Sequence, residues 1–155
     1  MRASLSLLVG LLTSIATHGV EQSSGAFVPV PADIQELVFR NELTTASDKD
    51  VYCLSVDAHD PEPRVLSLVQ RKGISIVGAS ECVAASDTLR GSYRRSNRQT
   101  ATFVSIGKYK LVNDSTGSLT VESYHDGLDA SGGMLLLRRT GDGWRVERSG
   151  YFWQS

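Results

Sequence analysis

Two histidine–aspartate neighbours and one arginine cluster are the places where this sequence could do chemistry. His59-Asp60 and Tyr124-His125-Asp126 set an imidazole, which titrates near neutral pH, beside a carboxylate. Tyr124, His125 and Asp126 are therefore the candidates for acid–base catalysis. Adjacency alone makes no dyad, because consecutive side chains on a strand leave on opposite faces. Arg90, Arg94, Arg95 and Arg98 fall close together with Tyr93 among them. Arginine makes forked hydrogen bonds to carboxylate, phosphate and sulfate and stacks on aromatic rings. These five residues are the candidate binding set, for an acidic face of a protein partner or a small anionic ligand. The alternative is a solvated loop whose charges keep a strand edge soluble.

Other chemistries lack their signatures. There is no G-x-S-x-G elbow, no H-E-x-x-H and no phosphate-binding glycine loop followed by a helix. Ser131-Gly132-Gly133 lacks the strand-then-helix context of a nucleotide site and reads as a flexible hairpin loop. Two cysteines, Cys53 and Cys82, are too few for a zinc site, and no histidine stands at ligand spacing beside either. No cofactor or metal is implied.

The ends of the chain set the compartment. Met1-Arg2-Ala3-Ser4 followed by the apolar run Leu5–Leu12 is the charged start and short greasy core of a secretory signal peptide. The run is shorter than the ~20 residues a membrane-spanning helix needs, so no span remains after cleavage. Ser14-Ile15-Ala16 supplies the small residues for a cut after Ala16, with later options at Thr17-His18-Gly19 and Ser24-Gly25-Ala26. The expected division is signal peptide 1–16, linker 17–30 and a single domain 31–155, periplasmic or secreted. In an oxidising compartment Cys53 and Cys82 pair by default. A loop of that length is worth ~3.5 kcal/mol on the chain-entropy estimate. The alternative is one buried thiol and one reactive thiol.

The whole chain carries 16 basic and 17 acidic residues, and losing Arg2 with the signal peptide leaves 15 against 17, a charge of −2. That balance argues against nucleic acid as a partner. With 41% hydrophobic and 21% charged residues, the chain reads as globular.

The elements that must position the candidates follow from pattern. Pro31 suits a first helical turn, and Ile34, Leu37 and Val38 then share a face. Val51–Val56 reads as a strand with Tyr52, Leu54 and Val56 on one face and Cys53 on the other. Asp60 as N-cap with Pro61 behind it predicts a helix over 61–72, closed by Gly73, with Val65, Leu66, Leu68 and Val69 as its stripe. Ile74–Val77 is extended. Four strands follow, over 101–112, 119–125, 134–139 and 144–153, joined by turns such as Asn113–Gly117 and Gly141-Asp142-Gly143. Tyr151 and Trp153 share a face of the last strand and are expected in the core, the alternative being to line a pocket. The fold class is α+β: two helices packed on an antiparallel, mostly meander sheet.

Val51-Tyr52-Cys53-Leu54-Ser55-Val56, Asp60-Pro61, Ser80-Glu81-Cys82, Asp142-Gly143-Trp144-Arg145-Val146 and Trp153-Gln154-Ser155 together resemble a group of small, uncharacterised exported bacterial proteins. That resemblance implies export but no activity. Two helices followed by a meander ending in Gly-x-Trp-x-Val also resemble the cone-shaped NTF2-like or cystatin-like domains, which include isomerases, dehydratases and pure binding modules. It departs from them in setting a strand between the two helices, so no catalytic residue carries over. Two functions follow as expectations: a non-catalytic binding module stabilised by one disulfide, or an NTF2-like enzyme or carrier with a pocket between helices and sheet.

Overall fold

A computed structural model describes residues 26–86 and 89–155, without the side chains of 148–152. The expected signal peptide and the cut after Ala16 lie outside the described residues, as does the side chain of Tyr151.

Helix α1 (Ala32–Glu42) starts directly after Pro31 and buries Ile34, Gln35, Val38 and Phe39. Its inward stripe is one residue wider than expected, with Phe39 completely enclosed and Leu37 on the flank. Strand β1 (Val51–Val56) follows, then α2 (Pro63–Val69), β2 (Ser75–Gly78), the two-residue strands β3 (Cys82–Val83) and β4 (Tyr93–Arg94), and the long strands β5 (Ala101–Asn113), β6 (Thr116–Asp126), β7 (Asp129–Thr140) and β8 (Gly143–Gln154). The fold is α+β. Six strands form one sheet in the order β2-β1-β5-β6-β7-β8, and β3 pairs only with β4.

The meander β5 to β8 is antiparallel, as its turn spacing predicts. At Asn113 the side-chain Oδ1 accepts from both the backbone N–H and the hydroxyl of Ser115, which tightens the β5–β6 turn. The rest of the sheet is different: β1 lies parallel to both β2 and β5. Because β1 and β2 run the same way, the chain must cross over between them, and α2 is that crossover.

The alternation expected for β1 holds. Leu54 joins Val104, Ile106, Leu119, Val121, Leu135 and Leu137 on the sheet face that packs against Ile34, Val38, Phe39, Val65 and Val69 of the helices. Cys53 and Val51 leave on the opposite face, where they meet Val77, Cys82, Ala101 and Phe103. β1 is thus buried on both sides, as a strand inside a parallel segment is.

Three local expectations are corrected. The second helix begins at Pro63 rather than Pro61, because a residue preceding proline is pushed out of the helical region and Glu62 is extended (φ −55, ψ 143). It ends at Val69, with Gln70 extended, so Gly73 (φ 85) serves the Arg71–Ile74 turn rather than a helix cap. Asp60 does not cap α2; its carboxylate accepts from the Ser80 backbone N–H at 2.8 Å and from the Ser80 hydroxyl at 2.5 Å. Finally, Ser131-Gly132-Gly133 lies inside β7. Gly132 is there because the indole of Trp153, directly opposite on β8, covers it: a β-carbon on Gly132 would sit 2.7 Å from Trp153 Nε1. Trp153 itself remains 45% exposed and is not core.

Candidate binding hairpin

Cys53 and Cys82 are joined in a disulfide, with their α-carbons 6.3 Å apart. Both residues are buried. Cys82 is directly opposite Arg94 in the β3–β4 ladder, and Val83 is opposite Tyr93. The covalent link therefore pins the arginine-bearing hairpin against the face of the sheet that the helices leave uncovered.

The five candidate binding residues divide into two groups there. Arg94 and Arg95 hold the hairpin. Arg94 Nη2 lies 2.6 Å from Glu81 Oε2. The Arg95 backbone N–H donates to the Glu81 carbonyl at 2.8 Å, and its Nε donates to the Ser80 carbonyl at 3.1 Å. The turn is closed by Arg94 N–H to Gln99 carbonyl and Arg98 N–H to Arg94 carbonyl. Glu81 is the residue that sequence reasoning misses. Its only signal is its place beside Cys82, which becomes informative once the disulfide and the β3–β4 pairing are known.

Arg90, Tyr93 and Arg98 form the other group. The Arg98 guanidinium carbon stands 4.3 Å from the centre of the Tyr93 ring, a cation–π stack. Arg98 has a left-handed backbone (φ 60), a conformation disfavoured for a residue with a β-carbon. Arg90 joins Tyr93 and Arg98 around an open depression of about 310 Å³. Among the described residues neither Arg90 nor Arg98 has a carboxylate partner.

The three acid–base candidates each make contacts that brace the backbone around them. Tyr124 faces the side of the sheet that carries Cys53, and its hydroxyl donates to the Ala85 carbonyl at 2.9 Å. His125, next along β6, has its Nδ1 3.4 Å from the Thr102 hydroxyl. Its Nε2 would lie 3.2 Å from a β-carbon on Gly91, and its carbonyl accepts from Ser92 N–H at 2.9 Å. Asp126 Oδ1 accepts from the backbone N–H groups of Leu128 and Asp129 and so closes the β6–β7 turn. Tyr124 thus holds Ala85, and His125 holds Ser92, against the sheet. At the other pair, His59 Nδ1 donates to the Asp57 carbonyl at 2.8 Å while Asp60 is held by Ser80, so His59 and Asp60 are not bonded to each other.

The space between helices and sheet is filled by the side chains of the main core, Phe39, Ile34 and Leu54 among them. Among the described residues no group of histidine, cysteine, aspartate or glutamate is arranged to hold a metal ion, and no helix is long and apolar enough to cross a membrane. No protein-family model, curated protein or solved structure matches the chain.

Proposed function

We propose that the chain is an exported, non-catalytic binding module that engages an anionic group of its partner through Arg90, Tyr93 and Arg98. The observation that carries this reading is the stack of Arg98 on Tyr93 beside Arg90, two guanidinium groups around one open depression with no acid among the described residues to neutralise them. The contrast with Arg94, which is spent on Glu81, supports it. Stacking holds the Arg98 fork in one orientation, and a preorganised fork loses less entropy on binding a carboxylate, phosphate or sulfate. Export is supported by the N-terminal sequence and by the closed disulfide, which belongs to an oxidising compartment. An NTF2-like reading requires a pocket beneath the helices; the packing of Phe39, Ile34 and Leu54 in that space favours a surface site instead.

The test is a titration of residues 17–155 with inorganic pyrophosphate and with a short aspartate-rich peptide, followed by backbone amide shifts. The amides of Tyr93 and Arg98 should move saturably. Arg90→Ala and Arg98→Ala should each weaken binding about tenfold, the worth of a charge-assisted contact of ~1.5 kcal/mol, and leave the melting temperature nearly unchanged. Unaltered affinity in the double variant sinks the proposal.

A further inference from the structure

The uncovered face of the sheet carries a second surface, independent of the arginine hairpin. Ser55 on β1 is opposite Ser105 on β5, Ser105 is opposite Glu122 on β6, Glu122 is opposite Gly132 on β7, and Gly132 is opposite Trp153 on β8. Directly opposed residues project from the same face. The five positions therefore form one row across the sheet, roughly 19 Å long at ~4.8 Å per strand. The neighbouring row, Cys53, Phe103 and Tyr124, is partly covered by the disulfide-linked hairpin and by Ala85, whose carbonyl Tyr124 holds. The hairpin side is thus a wall, and the row beside it is a floor.

The chemistry along that floor is graded. Ser55 donates its hydroxyl to Ser105 at 2.7 Å, and the Ser105 hydroxyl hydrogen has no acceptor among the described residues. Next to it the exposed Glu122 carboxylate has neither a hydrogen bond nor an ion pair among the described residues. A depression of about 220 Å³ runs between them, lined also by Lys108 and Thr120. Beyond Glu122, Gly132 leaves room for the Trp153 ring to lie down on the strand; indole atoms Nε1, Cε2 and Cζ2 all fall within 2.9 Å of where a β-carbon would stand. Nearly half of Trp153 stays open to solvent.

We infer that this row is a binding site for a neutral oligosaccharide lying across the strands. A sugar unit offers adjacent hydroxyls, each both donor and acceptor, and an apolar face of ring C–H groups. Glu122 supplies two acceptor oxygens, Ser105 supplies a donor, and the solvent side of Trp153 supplies a flat apolar platform with a polar edge. Lys108 and Glu122 oppose each other in charge in the same depression, so the site has no net pull on an ionic ligand. An extended peptide is the poorer fit. Peptides add to sheets by pairing with a free strand edge, whereas this row crosses the middle of the face at right angles to the strands, where the backbone groups are already bonded to neighbouring strands. The depression is small and open to solvent, which suits a ligand laid across it more than one enclosed by it.

The experiment is isothermal titration of residues 17–155 with chitotetraose, cellotetraose and maltotetraose. At least one should bind saturably at one site per chain. Trp153→Ala and Glu122→Gln should each lower its affinity tenfold or more, with the fold checked by circular dichroism. Gly132→Ala, which displaces the indole and removes no contacting group, should do the same. Arg90→Ala/Arg98→Ala should leave saccharide binding unchanged, which separates failure of this site from failure of the hairpin. No saturable binding by any of the three saccharides, or affinity retained in Trp153→Ala, Glu122→Gln and Gly132→Ala, overturns the inference.

Discussion

Cys82 faces Arg94 across the β3–β4 ladder while its sulfur is bonded to Cys53 on β1. One covalent bond thus fixes where the hairpin sits. Reduction should remove ~3.5 kcal/mol of stability on the chain-entropy estimate and lower the melting temperature by roughly 10 °C. Calorimetry with and without a phosphine reductant measures this, and thiol labelling before reduction should find no free cysteine. The Tyr93 and Arg98 amide shifts induced by pyrophosphate should weaken in the reduced protein, since the hairpin then loses its covalent tie to β1 and is held only by hydrogen bonds and the Arg94–Glu81 pair.

Gly78 is the end of β2 and is pressed against Asp60. A β-carbon there would stand 2.5 Å from the Asp60 carboxyl carbon. Gly78→Ala should cost about 1–3 kcal/mol through overpacking. In an Asp60→Ala background the same change should cost much less, and the difference, read from urea unfolding midpoints, is the coupling between the two residues. Equal costs in both backgrounds would mean that the contact is relieved elsewhere.

Asp57 and Ala58 both adopt positive φ (47 and 67) in the tight turn between Val56 and His59. Such a turn favours glycine at its second position. Asp57 has a local reason to be there, since its Oδ1 accepts from Lys108 N–H at 3.1 Å. Among the described residues no hydrogen bond of that kind holds Ala58. Ala58→Gly should therefore stabilise the protein by about 1 kcal/mol, the strain of a left-handed residue bearing a β-carbon. A lower unfolding midpoint would contradict this.

Tyr109 is 2% exposed, and its phenol is held above the ordinary value of 10.0, first by burial and then by the negative charge of Asp33. Below pH 10 the phenol is neutral in folded and unfolded chains alike, so its contribution is fully present. As pH rises past 10 the unfolded chain ionises first, and stability falls until the folded-state value is passed. Tyr109→Phe should flatten the alkaline limb of a plot of melting temperature against pH. An unchanged limb would assign the alkaline loss to other groups.

Much of the fold is legible in the residues. Asn113-Asp114-Ser115 and Gly141-Asp142-Gly143 read as turns, so β5 to β8 fall into place around them, and the alternation of Val51–Val56 correctly separates Leu54 from Cys53. Pairing partners are not legible in the same way. Nothing local to Val51–Val56 announces that it runs parallel to β5, because that pairing joins residues 50 apart, as at Ser55 and Ser105. Gly132 shows the same limit: a glycine reads as a loop until the ring of Trp153, far along the chain, is known to need its space. In the arginine cluster, composition marks the segment, but only the positions of Glu81 and Tyr93 divide its members into those that brace the hairpin and one that stacks on a ring.

The parallel placement of β1 also constrains the order of assembly. The meander closes through neighbouring strands and needs only short loops, whereas β1 must wait for a partner that is synthesised much later. Cys53 and Cys82 both precede β5 in the chain. The loop that their bond closes ends before β5 begins, so the disulfide and the β1–β5 pairing are two separate long-range closures of the same strand.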